Sequence, residues 1–328
     1  VLLFTAVIFF ASSLGSAWVV NYTEFIIYRV VAGRSGGAAA RLSPIYIAEV
    51  APAKHRGKLG ILNILAIFIG QSSAFFSNFF LKDHGGADNW RWMLGVMVLP
   101  SVILLLLLFF IPESPRWLME RRSKEAARLV LDKIHGQSAE SELLEISVTT
   151  TTSKGKLTEL FKGRLFKYLL IRIALAVLQQ VSGINVIMYY APSIFKSAGF
   201  GDNSALLQTA IMGLVNLSFA VIAMFSVDRF GRKPLMIIGA AGTGVSLMLL
   251  AVAFITNSFH GYFVLFCIMG YLAFFGVSIG PVVWVIISEI FPNRLRSHAV
   301  AICFFFLWAA DFVVSFTFPY LLSHLNGY

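Results

Sequence analysis

The segment Leu178–Tyr190, LQQVSGINVIMYY, places polar side chains inside a long apolar stretch. They are Gln179, Gln180, Ser182 and Asn185. An amide that has no partner in hydrocarbon costs several kcal/mol, so these groups must face protein or a water-filled cavity. The segment therefore predicts either a helix buried among other helices or a helix that lines a binding site.

On an ideal helix, the side chains of Gln179 and Asn185 would not face the same ligand. At about 100° per residue, Gln179, Ser182, Gly183 and Tyr190 share a stripe, whereas Asn185 falls roughly 120° from Gln179. For both amides to reach one ligand, the helix must unwind near Gly183, where the missing Cβ permits it. Broken helices with polar groups at the midplane form the substrate sites of secondary transporters. The alternative is a polar contact between two helices.

The composition indicates a membrane protein. Hydrophobic residues make up 58% of the 328 residues and charged residues 13%, with a mean hydropathy of +0.80. A soluble domain carries nearly twice that share of charge. Cys267 and Cys303 both fall in apolar segments, so no disulfide framework is implied. Because Val1 already lies in an apolar run, we expect the sequence to be a fragment.

Apolar stretches long enough to cross a bilayer recur along the chain. They lie at 1–20, 24–47, 57–80, 92–111, 168–193, 205–227, 234–256, 261–288 and 297–322. The polar, helix-prone stretch 112–167 separates four of these nine spans from the other five. We therefore predict an all-α membrane protein with an N-terminal bundle (1–111), a helical cytoplasmic linker (112–167) and a C-terminal bundle (168–328).

The net charge of +10 is distributed unevenly between the two sides of the predicted membrane. One set of loops contains 19 Lys and Arg residues, and the alternate loops contain 3. This asymmetry matches the positive-inside rule and places the linker in the cytoplasm. The basic excess therefore orients the protein in its membrane and argues against nucleic acid as a partner.

An internal repeat indicates two parallel halves. Glu49–Arg56 reads EVAPAKHR and Glu289–Arg296 reads EIFPNRLR, so both contain E-x-x-P-x-x-x-R at an offset of 240 residues. Both copies end an apolar span on the positive side. Repeats of this kind are common in transporters.

Several motifs resemble those of the sugar porter family of the major facilitator superfamily, with bacterial D-xylose–proton symporters as the most similar group. The motifs are RVVAGRSGGAAARLSPIYIAEVAPAKHRGKL (29–59), PESPRWL (112–118), LQQVSGINVIMYYAP (178–192), VDRFGRKPL (227–235) and GPVVWVIISEIFPNRLR (280–296). The resemblance implies twelve helices in two pseudo-symmetric bundles. The nine spans would be the third to the eleventh, and the first, second and twelfth would be absent.

The resemblance also implies a sugar site. Its hydrogen-bonding residues would be Gln179, Gln180, Asn185, Tyr190 and Asn216, and its stacking aromatics would be Trp284 and Trp308. The chemistry suits this role, because amides match sugar hydroxyls in both donor and acceptor senses. The C–H faces of a sugar pack on indole. The alternative for each Trp is an interfacial or core aromatic.

The sequence departs from the family pattern at three positions. Ile64 follows Asn63 where the family has a sugar-contacting Gln, and Leu307 precedes Trp308 where the family has another. Met97 occupies the position of a carboxylate in symporter members. Without these two amides, the site is expected to bind a different or weaker sugar than xylose, or none.

Charged residues at the predicted cytoplasmic helix ends match the family's salt-bridge latch. They are Glu49, Arg56, Glu113, Arg116, Asp228, Arg229, Arg232, Glu289, Arg294 and Arg296. In the family, such residues hold the two halves together in the outward-facing state. The alternative, a solvated loop charge, is the usual one for a single residue, but the repeated motif favours the latch.

Two residues are candidates for proton coupling. Arg29 matches the family's Arg on the fourth helix, whose acidic partner would lie outside this sequence. Asp311 lies mid-span, three residues after Trp308, where an acid is costly and often functional. Pairing without function is the alternative for Asp311. Arg34 also lies near the predicted midplane, and the family pattern gives it no role.

We interpret the sequence as a monosaccharide transporter that works by alternating access, with a proton as its coupling ion. The alternatives are a facilitator without proton coupling and a non-transporting sugar sensor on the same fold. The expected partners are a pentose or hexose, the proton and the lipid bilayer of an inner or plasma membrane. We expect a monomer and no cofactor or metal. No nucleophile–base pair or metal-ligand cluster is visible, so enzymatic activity is not predicted.

Overall fold

The computed structural model describes residues 1–135, 139–151, 157–256, 261–289, 291 and 293–324, and these form helices and turns without a strand. The side chains of a few further residues, among them Arg56, Asp228, Glu289 and Arg296, also lie outside the described part. The chain divides into two units, Val1–Thr152 and Ser153–Tyr328. The predicted all-α class is confirmed, while the predicted bundle and linker boundaries stay predictions.

The first unit begins with long helices. They are α1 (Leu2–Trp18), α2 (Tyr22–Val50), α3 (Ala53–Leu81), α4 (Asn89–Gly95) and α5 (Val98–Leu108). Helix α1 packs on α2, α4 and α5. It approaches them through small buried residues such as Ser12 and Ser16, whose hydroxyls bond carbonyls of their own helix. The Arg91 guanidinium donates to Val19 O at 2.7 Å and so joins α4 to the end of α1.

Three short helices complete the first unit: α6 (Pro115–Arg121), α7 (Lys124–His135) and α8 (Ala139–Thr151). Ser114 precedes α6, and its hydroxyl accepts a hydrogen bond from the Trp117 N–H at 3.3 Å, an N-cap followed by proline at the first helical position. Leu118, Leu131 and Leu143 pack together into a small apolar cluster. These helices therefore have a core of their own.

The second unit contains seven α-helices among its described residues. They are α9 (Gly163–Val181), α10 (Ile184–Ser197), α11 (Asp202–Phe230), α12 (Arg232–Ile255), α13 (Gly261–Phe274), α14 (Gly280–Glu289) and α15 (Asn293–His324). A 3₁₀ turn, Leu157–Phe161, precedes α9, and a π-helical turn, Phe275–Ile279, joins α13 to α14. Helix α9 packs on α14 and α15, while α10 contacts α11, α13 and α15.

Seven segments of the described chain are long and apolar enough to cross a membrane. They are Leu62–Leu81, Gly86–Leu108, Gly163–Ser197, Asp202–Ser226, Arg232–Ala253, Gly261–Ile287 and Ser297–Leu322. Of the other two predicted spans, α1 is apolar but shorter, and α2 is 29 residues long but carries Arg29, Arg34 and Arg41. The chain is an integral multi-pass membrane protein. The predicted span 168–193 consists of two helices, α9 and α10, as the expected unwinding near Gly183 requires.

Candidate functional site

The predicted break in the seventh family helix is confirmed at Gly183. Helix α9 ends at Val181, and Gly183 adopts φ 87° and ψ 14°, a left-handed conformation that favours glycine. Its N–H bonds Gln180 O at 2.9 Å, and the regular helical pattern resumes where Ile187 N–H bonds Gly183 O at 3.0 Å. One residue therefore redirects the chain between the predicted amides.

Tyr271 on α13 supports this break. Its hydroxyl donates to Ser182 O at 3.0 Å, and its oxygen lies 3.2 Å from Ser182 Oγ. The Tyr271 side chain is buried, so the carbonyl at the break has a partner without water. The packing of α13 therefore stabilises the break between α9 and α10.

Gln179 on α9 contacts the π-helical turn between α13 and α14. Its Nε2 donates to Ile279 O and to Gly280 O, both at 3.0 Å. Pro281 follows at once and has no N–H to give to the preceding turn. Gln179 is 3% exposed, and its Oε1 has no hydrogen-bond partner among the residues that the structure describes. The structure therefore leaves one buried acceptor of Gln179 without a described partner.

A second cluster of polar side chains is centred on Asn185 at the start of α10. Asn185 Nδ2 donates to Gln180 Oε1 at 2.8 Å and to Asp311 Oδ1 at 2.8 Å. Ser315 Oγ, one turn further along α15, also donates to Asp311 Oδ1, at 3.2 Å. Asp311 is 8% exposed. The structure thus brings together three of the predicted sugar-site and proton candidates.

The remaining predicted sugar contacts fall around these two groups. Tyr190 OH donates to Ser315 O at 3.3 Å, which links it to the Asp311 group. Asn216 on α11 is buried, and a Cβ added to Gly276 would lie 3.5 Å from Asn216 Oδ1. Asn216 therefore approaches the same π-helical turn that Gln179 contacts.

The two predicted stacking aromatics are not joined to the amides by any contact described in the structure. Trp284 on α14 is exposed and lies 4.8 Å from Phe304, measured between ring centroids. Trp308 on α15 is also exposed. Leu307, the position where the family has an amide, is 1% exposed and packs in the interior of the second unit. The stacking roles stay predictions.

The predicted latch residues of the first unit lie near the start of α6. Ser114 Oγ donates to Glu49 Oε2 at 2.5 Å, and Tyr46 OH donates to Pro112 O at 2.7 Å. Glu113 pairs with Arg122 at 3.5 Å, and both side chains are exposed. An exposed pair of this kind contributes little stability. Arg116 lies on α6 and is half-buried.

Of the other latch candidates, the structure describes the side chains of only two. Arg229 is exposed, with its guanidinium 5.9 Å from the Phe230 ring centroid, and Arg232 is exposed at the start of α12. The side chains of Arg56, Asp228, Glu289, Arg294 and Arg296 lie outside the described part. The latch therefore stays a prediction, as do the proton-coupling roles of Arg29, which is exposed on α2, and Asp311.

The sequence analysis did not identify two residues whose contacts join helices, Arg172 and Ser114. Arg172 on α9 is 1% exposed; its Nη1 donates to Ile286 O, and its guanidinium lies 5.1 Å from the Phe291 ring centroid. Its position near the end of a predicted span gave no sign of burial. Ser114 could have been found, because Ser followed by Pro is a helix-start pattern.

A multi-pass helical protein with a broken span and polar groups at the break has the architecture of a secondary transporter. Comparison with known proteins agrees with this class. The family model described as "Sugar (and other) transporter" matches residues 1–328, and the chain belongs to this family. Its members are transporters, not enzymes.

Individual relatives cover nearly the whole chain. It is 41% identical to the D-xylose-proton symporter of Escherichia coli over 98% of this chain and 72% of that protein. It is 38% identical to the arabinose-proton symporter of Bacillus subtilis over 98% of this chain and 71% of that protein. The partially occluded inward-open structure of the Escherichia coli xylose transporter XylE superposes with a TM-score of 0.84 at 39% identity, covering 97% of this chain and 73% of that chain.

Proposed function

We propose that this protein is a transporter that moves a monosaccharide together with a proton by alternating access. The substrate would be a pentose or hexose, as the names of its relatives suggest: xylose, arabinose and glucose. The observation that carries the proposal is the broken helix at Gly183, flanked by Gln179 with a buried acceptor and by the Asn185 amide.

The proposed sugar contacts are those of the predicted site. They are Gln179, Gln180, Asn185, Tyr190 and Asn216, with Trp284 and Trp308 as stacking aromatics. The burial of Gln179, Gln180 and Asn216 in an apolar unit supports this role, because buried amides are retained where their hydrogen bonds are used. The proposed division is two bundles, 1–111 and 168–328, joined by a cytoplasmic linker, in a monomer within an inner or plasma membrane.

The residues proposed for proton coupling are Asp311 and Arg29. Asp311 is the better supported, because it is a carboxylate buried in a membrane-spanning helix and bonded by the neutral donors Asn185 and Ser315. Arg29 is exposed on α2, and the resemblance alone assigns it.

Uptake by the intact transporter in proteoliposomes tests the proposal. Radiolabelled D-xylose, L-arabinose and D-glucose should be screened, with the external pH followed in an unbuffered medium. A sugar–proton symporter takes up one of these sugars and makes the medium more alkaline. Uptake without a pH change indicates a facilitator, and saturable binding without uptake indicates a sensor. Neither binding nor uptake of any of the three would contradict a sugar function.

A further inference from the structure

The amide of Asn185 can face a ligand in two ways, and its neighbours decide which. A side-chain amide offers two donor protons on nitrogen and one acceptor oxygen, and only its partners determine which end faces the ligand. Both protons of Asn185 Nδ2 are directed at oxygen atoms, Gln180 Oε1 and Asp311 Oδ1, each at 2.8 Å. The end that remains for a ligand is therefore Oδ1, an acceptor.

Asp311 is the partner that prevents the opposite orientation. Gln180 is itself an amide, so it could rotate together with Asn185 and still make a hydrogen bond. Asp311 Oδ1 cannot follow, because it already accepts from Ser315 Oγ at 3.2 Å and remains an acceptor whether or not Oδ2 carries a proton. Rotation of Asn185 would bring two acceptor oxygens together in a site where Asp311 is 8% exposed. The carboxyl group therefore fixes the amide.

Gln179 is fixed in the same sense by the backbone. Its Nε2 donates to two carbonyls, Ile279 O and Gly280 O, which cannot donate in return. Its Oε1 is buried and has no partner among the described residues. The two amides on either side of Gly183 thus both present acceptors.

We propose that Asp311 is a positioning residue that fixes Asn185 as a hydrogen-bond acceptor, so that with Gln179 it makes the site select ligand hydroxyls that donate. This inference rests on the proposed sugar function and narrows it, because an amide site is otherwise open to hydroxyls in either sense. A ligand group that only accepts would face two oxygens. The site should therefore reject it even when it has the size of a hydroxyl.

Deoxy and deoxyfluoro analogues test this polarity. Fluorine on carbon is close to a hydroxyl in size and accepts weakly but cannot donate, whereas a deoxy position does neither. Each analogue of the tightest-binding sugar among D-xylose, L-arabinose and D-glucose should be titrated into the intact transporter by calorimetry. At one or more ring positions, the fluoro and deoxy analogues should both bind about 10-fold more weakly than the sugar and about equally to each other.

The variant Asp311→Asn should change the relative affinity for the fluoro and deoxy analogues, which a purely structural role of Asp311 would leave unchanged. An asparagine at this position can either donate or accept, so Asn185 becomes free to rotate. The fluoro analogue should then bind at least about 3-fold more tightly than the deoxy analogue at the same ring position, where a donor now faces the fluorine. Thr317→Ala is the control on the same helix, because this exposed hydroxyl has its described bonds only to Val313 O and Val314 O, and it should keep the parent pattern.

Three results would overturn the inference. One is a parent transporter that binds the fluoro analogue better than the deoxy analogue at every ring position, a measurement that needs no variant to fold. Another is an Asp311→Asn protein with an unchanged unfolding midpoint and an unchanged analogue pattern. A parent that binds none of the three sugars would overturn the proposed function as well, which distinguishes that failure from the other two.

Discussion

Ser114 Oγ lies 2.5 Å from Glu49 Oε2 and joins the end of α2 to the start of α6, across 65 residues of chain. The same hydroxyl accepts from the Trp117 N–H at 3.3 Å and caps α6. One side chain thus completes a helix start and holds a carboxylate that would otherwise face the C-terminal end of its own helix, where the dipole is unfavourable to it.

Ser114→Ala should lower the free energy of unfolding by about 1–2 kcal/mol, because the cap and the bond to Glu49 are lost together. Unfolding of the intact transporter by an SDS titration measures this change. Ser77→Ala on α3 is the control, because the described bond of that hydroxyl goes only to Ala74 O within its own helix. Equal midpoints for the two variants would contradict the structural role of Ser114.

Glu49→Gln separates the proposed latch from this structural role. An amide oxygen still accepts from Ser114, so stability should change little, but the charge that a latch needs is gone. We expect the resting population to shift toward the inward-open state by about 1 kcal/mol, roughly 5-fold. Accessibility labelling of a cysteine introduced on the cytoplasmic side reports the shift, and Glu289→Gln should act in the same direction. Identical labelling of variants and parent would mean that neither acid acts as a latch.

Asn185→Ala and Gln179→Ala should each weaken sugar binding by about 1–3 kcal/mol, because a ligand hydroxyl loses a desolvated partner. Isothermal calorimetry with the tightest-binding sugar measures the loss. Asn203→Ala removes an exposed amide at the start of α11 and should leave the affinity unchanged. Parent affinity in both site variants would contradict the assignment.

Leu307→Gln and Ile64→Gln restore the amides that the family pattern has, and the structure predicts different outcomes. Leu307 is 1% exposed, so an amide there is buried among apolar groups and should cost about 1–3 kcal/mol of stability. Ile64 is 38% exposed within the span Leu62–Leu81, so an amide there should cost less than at Leu307 if this face lines the aqueous sugar site and several kcal/mol if it faces lipid. Thermal unfolding of each variant in detergent compares them. A stable Leu307→Gln protein that binds D-xylose more tightly than the parent would show that the buried position can turn toward the ligand.

Arg172→Gln should destabilise the second unit by about 2–3 kcal/mol, the scale of a charged hydrogen bond lost together with aromatic packing. Arg172→Lys keeps the charge but not the planar fork and should fall between Gln and the parent. Arg164→Gln, an exposed change on the same helix, is the control. Chemical denaturation measured in one detergent ranks the three variants, and an unchanged midpoint for Arg172→Gln would contradict the role.

Much of the fold was predictable because apolar spans of sufficient length can be recognised from composition alone. The break at Gly183 was also predictable. Gln179 and Asn185 must face the same ligand, but on an ideal helix their side chains would point about 120° apart. The orientation of Asn185 was not, because it depends on Asp311, 126 residues away. The same holds for Gln179, whose partners are carbonyls of a π-helical turn that hydrophobic patterning does not reveal. Hydrogen bonds between residues far apart in the sequence cannot be predicted from hydrophobic patterning.

The contacts of Arg172 also bear on the order in which the protein is made. A guanidinium in a membrane-spanning helix is costly until it finds a partner. Its described partners are Ile286 O and the Phe291 ring, both more than a hundred residues later in the chain. During synthesis, α9 therefore enters the bilayer long before these partners exist. The packing of α9 on α14 through these contacts can therefore form only after the ribosome has delivered α14.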